Sequence, residues 1–134
     1  MILVDSTVWI DLLCNASTLP VVRLRKLLDG GEAAVSPVIV QEVLQGAADA
    51  SAFAKLQAYF AALPIFGAAD PLGLHIAAGR LYARARWQGI MPRSANDCVV
   101  AAVAVEARIP LLHDDRDFEQ LVAVETRLRL VPRH

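Results

Sequence analysis

What most constrains this chain is a short, wholly apolar run that ends on an acid, a pattern it contains twice. Ile2-Leu3-Val4 closes on Asp5, and Ile109-Pro110-Leu111-Leu112-His113 runs into Asp114-Asp115. A strand without polar alternation is buried on both faces, which is the pattern of a parallel sheet covered by helices. Helical periodicity fills the intervals. Val8, Trp9, Leu12 and Leu13 predict a helix over residues 7–13, and Pro20 opens a second that Gly30-Gly31 stops. A strand over residues 33–36 leads through Pro37 into a helix carrying Glu42. Asp49 or Ser51 caps the next helix, with Phe53, Leu56 and Phe60 on its apolar face, and Pro64 breaks it before Ile65-Phe66. Asp70-Pro71 starts a long helix to about Gln88, with Gly89 as its stop, and Ser94 caps a helix over residues 95–108. A short helix over residues 118–122 and a strand near residues 128–131 complete an α/β pattern. The expectation is one domain over residues 1–134, with a central parallel sheet of about five short strands flanked by helices on both faces.

Composition supports a packed core and limits the function classes. At 134 residues, 56% hydrophobic and 20% charged, the chain is too apolar for disorder and the right size for one core. No apolar run approaches the ~20 residues of a membrane span. The opening MILVD has no basic leader region. Both point to a cytoplasmic protein with no membrane association. The apolar surplus suggests a surface covered by a partner, either a second copy or another chain. Cys14 and Cys98 lack metal or redox spacing and read as small core residues. A net charge of −1 carries no global nucleic-acid signature, although the cations are eleven Arg against two Lys.

In open parallel sheets, sites form in the crevice beyond the carboxyl ends of the strands. Asp5 and Asp115 occupy such ends. Asp97 opens the apolar helix SANDCVVAAVAV, and Glu42 lies in VIVQEVLQG. Most acids are solvated surface groups, but buried ones are rare unless paired or metal-bound. Two carboxylates about 4 Å apart repel by ~4 kcal/mol at an effective dielectric of 20, so convergence requires a cation or protonation. Oxygen-only ligands favour Mg²⁺, with Mn²⁺ as substitute, over zinc. Asp117 is a possible auxiliary ligand and equally a helix cap. Ser6, Thr7 and Asn96 are placed to orient a carboxylate or a water, with capping the competing role for Thr7. Arg84 and Arg86, with Arg80 and Arg93 nearby, and His113 are candidates for phosphate contact. A solvated helix face and a packed histidine are the plainer readings.

In order and spacing, MILVDSTVWIDLL, SPVIVQEVLQG, NDCVVAAVA and LLHDDRDFEQL resemble the PIN-domain nucleases, and within them the VapC-type toxins of bacterial toxin-antitoxin pairs. The resemblance covers essentially the whole chain. It implies a Mg²⁺ site from Asp5, Glu42, Asp97 and Asp115, endonucleolytic cleavage of RNA, a homodimer, and inhibition by a cognate antitoxin. Asp-Ser-Thr stands where Asp-Thr-Ser is more usual, and His113-Asp114 where a Thr or Ser often precedes the acid. Three alternatives compete: a PIN-like RNA-processing nuclease outside a toxin pair, an Asp-dependent phosphoryl-transfer protein, and a non-catalytic interaction module. The second is disfavoured by Thr7, where a dehalogenase-like pattern wants an acid, and by the absence of Lys after Lys55. The third is disfavoured because lost activity leaves no reason to keep four repelling acids.

Overall fold

The computed structural model describes residues 1–133. The chain runs β1 (Ile2–Val4), α1 (Ser6–Leu13), α2 (Leu19–Asp29), β2 (Ala33–Ala34), α3 (Pro37–Leu44), α4 (Ala50–Ala61), α5 (Pro71–Trp87), α6 (Ala95–Ala107), β3 (Leu111–Leu112), α7 (Arg116–Val124) and β4 (Leu130–Val131). All strand pairs are parallel, in the order β2-β1-β3-β4. Ile2 pairs with Ala33, Val4 with Leu112, and Leu112 with Val131. Leu3, Val4, Ala33, Ala34, Leu111 and Leu112 are all buried. Because successive strand side chains point to opposite faces, burial of adjacent residues means that both faces are covered.

The strand order positions the site. From β1 the chain crosses to β2 on one side, then returns to lay β3 on the other side of β1 and continues outward to β4. Strand order therefore reverses between β1 and β3, where a crevice opens beyond their carboxyl ends. Asp5 follows β1 directly, and Asp115 lies three residues past β3. The Trp9 indole donates to the Val4 carbonyl at 3.0 Å, folding α1 back onto the end of β1 and fixing the strand-to-helix turn at Asp5.

Most helix boundaries follow the expected chemistry. Asp49, Asp70 and Ser94 accept from the amides of Ala52, Gly73 and Asn96 respectively, each capping its helix. The second helix starts one residue before Pro20 because Thr18 caps it through Val21 N–H. Three expectations are corrected. Among the described residues the sheet has four strands: the segment at Ile65 forms only an isolated parallel bridge to Val35. Pro64 has no amide hydrogen to donate, so the ladder stops after Val35 N–H to Pro64 O and Phe66 N–H to Val35 O. Cys14 is exposed at the end of α1 rather than in the core, where Cys98 does lie. The last helix is longer than expected because Asp115, not a residue next to Phe118, is its cap.

Candidate active site

Each acid at the switch point is placed by the first turn of a helix or by a helix packed nearby. Asp5 is the N-cap residue of α1, Asp97 lies in the first turn of α6, Asp115 is the N-cap of α7, and Asp117 follows in its first turn. Three helix N-termini thus surround the cluster, and their exposed amides and positive dipole ends favour negative charge there. Glu42 comes from α3.

Carboxylate oxygens of Asp97, Asp115 and Asp117 lie within 4.8 Å of one another. Asp5 and Glu42 stand outside that tight group but within its field, since both push the Asp97 carboxyl upward. Asp97 is raised to about 7, first by burial and then by the charges of Asp5, Asp115, Asp117 and Glu42. Asp5, 3% exposed, is raised to about 6, chiefly by burial. The Ser6 and Thr7 amides pull it back, while Glu42 and Asp115 push it further up. Asp5 Oδ1 and Glu42 Oε1 are buried and have no hydrogen-bond partner among the described residues. Orphaned acceptor-only oxygens inside a protein are costly, and a bound cation or its waters would satisfy them.

The α7 side of the cluster is neutralised differently. Arg93, in the loop before α6, donates Nη2 to Asp115 Oδ1 at 2.9 Å and Nε to Asp117 Oδ2 at 3.2 Å. Its backbone amide also reaches Asp117 Oδ2 at 3.0 Å. Asp115 Oδ1 additionally caps α7 through the Asp117 amide at 2.9 Å. Both acids hold the Arg93 guanidinium above its ordinary pKa. The donor set as a whole is oxygen-only and partly orphaned, which fits a hard divalent cation.

Residues 2–124 match the family model described as PIN domain. Ribonuclease VapC11 of Mycobacterium tuberculosis and VapC ribonuclease Mb1587 of Mycobacterium bovis are each 31% identical over 126 residues, covering 92% of this chain and 93% of theirs. This chain is a PIN-domain protein of the VapC ribonuclease family. Solved structures share the fold at lower identity. VapBC2 from Rickettsia felis, bound to a DNA fragment from its promoter, superposes with a TM-score of 0.74 at 17% identity, covering 98% of both chains. FitAcB from Neisseria gonorrhoeae superposes at 0.69 with 18% identity, covering 98% of this chain and 97% of that one.

The fold brings Asp5, Glu42, Asp97, Asp115 and Asp117 into one another's field, with Asp115 and Asp117 both within 4.8 Å of Asp97 through their carboxylate oxygens. Buried Ser6 and half-buried Thr7 form the first turn of α1 beside Asp5. Asn96, half-buried, adjoins Asp97. Two of the three candidates for phosphate contact lie elsewhere or are otherwise engaged. Arg84 donates to the Val124 carbonyl at 2.8 Å, tying α5 to the C-terminal end of α7, the end opposite Asp115. His113 is 1% exposed, its Nδ1 lies 2.9 Å from the Asp115 carbonyl, and its ring packs against Phe118. Arg86 is exposed in the last turn of α5, where it suits the negative end of the helix dipole. Sequence reasoning underrated Arg93, read there only as one more cation near α5. Its partners are 22 and 24 residues away, and no periodicity links them.

Proposed function

We propose that this PIN domain is the toxin of a toxin-antitoxin pair and cleaves RNA endonucleolytically with Mg²⁺. The supporting observation is the orphaned, mutually repelling carboxylate cluster at the switch point of a VapC-family fold. Residues 1–134 act as one nuclease domain in the cytoplasm; no described helix is long and apolar enough to cross a membrane. Asp5, Asp97 and Asp115 hold the cation, which Mn²⁺ can replace, with Glu42 binding directly or through water and Asp117 as a further ligand. When bound, the ion supplies Lewis-acid neutralisation of the scissile phosphate and a water acidic enough to attack near neutral pH. The chain supplies the geometry. Asp5 Oδ1 and Glu42 Oε1 offer fixed acceptors that orient the attacking water, and the N-termini of α1, α6 and α7 favour the phosphate charge without reorganising. Ser6, Thr7 and Asn96 keep the carboxylates in place.

The antitoxin belongs on a second surface. A groove of about 730 Å³ between α1, α2 and α4 is lined by Trp9, Leu12, Leu28, Leu56, Tyr59 and Phe60. Phe60 is buried while Tyr59 and Phe53 are 42% exposed, so this aromatic face divides between core and surface. An amphipathic helix fits such a groove. On α5, Leu72 at 71% and Ile76 at 52% exposure give a homodimer an apolar patch to cover.

The deciding experiment incubates purified protein with single-stranded RNA in Mg²⁺, in EDTA, and as Asp5→Asn. Cleavage in Mg²⁺ alone by the wild type is expected. Equal cleavage in all three would reject the metal-nuclease reading.

A further inference from the structure

The acid cluster poses a difficulty for any RNA that enters it. Asp5, Glu42, Asp115 and Asp117 all act on Asp97, and a phosphodiester approaching these carboxylates brings a further negative charge. A bound cation answers part of that repulsion. The chain adds a group of its own: among the described residues, Arg93 is the one cation that ion-pairs with an acid of the cluster.

Arg93 is pinned without being buried. Its Nε donates to Asp117 Oδ2 at 3.2 Å, its Nη2 to Asp115 Oδ1 at 2.9 Å, and its backbone amide to Asp117 Oδ2 at 3.0 Å. The side chain is nevertheless 74% exposed, against 22% for Asp115 and 10% for Asp117. A guanidinium has five N–H donors, so these bonds leave both donors of Nη1 and one of Nη2 for a ligand. An ion pair with so exposed a partner adds only ~0–1 kcal/mol to stability. Its firmer consequence is position. The bonds remove rotamer freedom worth ~2 kcal/mol in a free Arg side chain, so a ligand that meets the remaining donors does not have to order it. A planar fork of this kind matches the oxygens of a phosphate. Direct contact also fixes its place: the guanidinium touches two proposed metal ligands, whose carboxylate oxygens lie within 4.8 Å of that of Asp97.

We propose that Arg93 is a substrate-phosphate clamp, binding a backbone phosphate of the RNA at the edge of the acid cluster through Nη1 and the free N–H of Nη2. The inference rests on the ribonuclease reading above and names a residue that holds its substrate. Such a contact is blind to base identity. It is made equally before and during the chemistry, so its loss raises KM and leaves kcat nearly unchanged.

The test compares wild type with Arg93→Gln, Arg93→Lys and a control, Lys26→Gln, which removes a charge from the last turn of α2, at the opposite, amino end of β2. In Mg²⁺, Arg93→Gln should raise KM for single-stranded RNA about tenfold with kcat within about threefold of wild type, as loss of one charge-assisted hydrogen bond does. In the non-cleaving Asp5→Asn background, the same change should lower the slope of log Kd against log salt by about 0.7, the share of one phosphate contact on a single strand. Arg93→Lys should keep that slope and show an intermediate KM, and Lys26→Gln should alter neither. A single neutral methylphosphonate linkage, moved along the RNA, should weaken binding to the Arg93 protein at one linkage and cost Arg93→Gln nothing further there. Losses that multiply at every linkage, or a salt slope unchanged in Arg93→Gln, overturn the clamp. Weaker Mg²⁺ binding by calorimetry with a lower kcat and an unchanged KM also overturns it, since Arg93 would then only hold the carboxylates. Those outcomes leave the nuclease reading intact, whereas no RNA cleavage by the wild type rejects that reading.

Discussion

The two walls of the acid cluster carry similar groups and treat them in opposite ways. On the β1 side, Asp5 is buried and Glu42 half-buried, each with one oxygen that finds no partner among the described residues, and Asp5 is pushed up to about 6. On the α7 side, Asp115 and Asp117 are held by Arg93, by a backbone amide and by the α7 cap. Burial of Asp5 disfavours its charged form, which a proton or a cation relieves. The second wall is already satisfied and gives the cluster a fixed edge. A metal site built in this way is poised on one side and anchored on the other.

The largest expected effect comes from the poised wall. Asp5→Asn should lower RNA cleavage on the order of 10³-fold, measured as initial rates in saturating Mg²⁺, while the protein stays folded. Cleavage within tenfold of wild type would remove Asp5 from the site. Next is the metal itself: Mg²⁺ at a hundredfold excess over its Kd should stabilise the chain by ~2.7 kcal/mol, read as a rise in melting temperature over EDTA. No rise at any concentration would mean that the acid cluster does not hold the cation.

Protonation should substitute for the cation. Asp5 and Asp97 have native pKa values raised from 3.8 to about 6 and about 7, so between about pH 4 and pH 7 the folded state binds more protons than the unfolded one. Stability in EDTA is therefore greatest at the acid end of that window and falls as pH rises through it. Saturating Mg²⁺ should flatten the slope. A metal-free melting temperature that climbed from pH 5 to pH 8 would contradict the burial of these two groups.

Smaller effects should have opposite signs on the two walls. In EDTA at pH 7.5, Glu42→Gln should stabilise the chain by roughly 1 kcal/mol, because it removes a charge that repels Asp5 and Asp97. Asp115→Ala should destabilise it by roughly 1 kcal/mol through loss of the α7 cap. Thermal melts of both variants measure this contrast, and equal signs would erase the distinction. Arg93→Gln should have the smallest effect, a slight loss of stability confined to low salt, because its guanidinium is largely solvated.

Much of this was legible in the chain itself. Apolar runs without alternation required buried parallel strands, and an acid at the end of each required a decision about charge. Caps at Asp49, Asp70 and Ser94 follow from local chemistry, as does the break at Pro64. The fifth strand was not legible, because whether Ile65 joins the sheet depends on how few hydrogen bonds Pro64 leaves next to Val35. Nor were the fates of Arg84 and His113, whose positions suggested a phosphate but whose donors and rings are taken up by Val124, Asp115 and Phe118.

The sequence by itself determined which residue types carry the chemistry and where each lies along a strand or helix, because periodicity and capping act over a few residues. Tertiary structure alone decided which oxygens are left without partners among the described residues, Ser36 Oγ among them, and that Arg93 spans Asp115 and Asp117. Those outcomes depend on desolvation and on distances between residues far apart in the chain, and neither quantity exists until the sheet has closed.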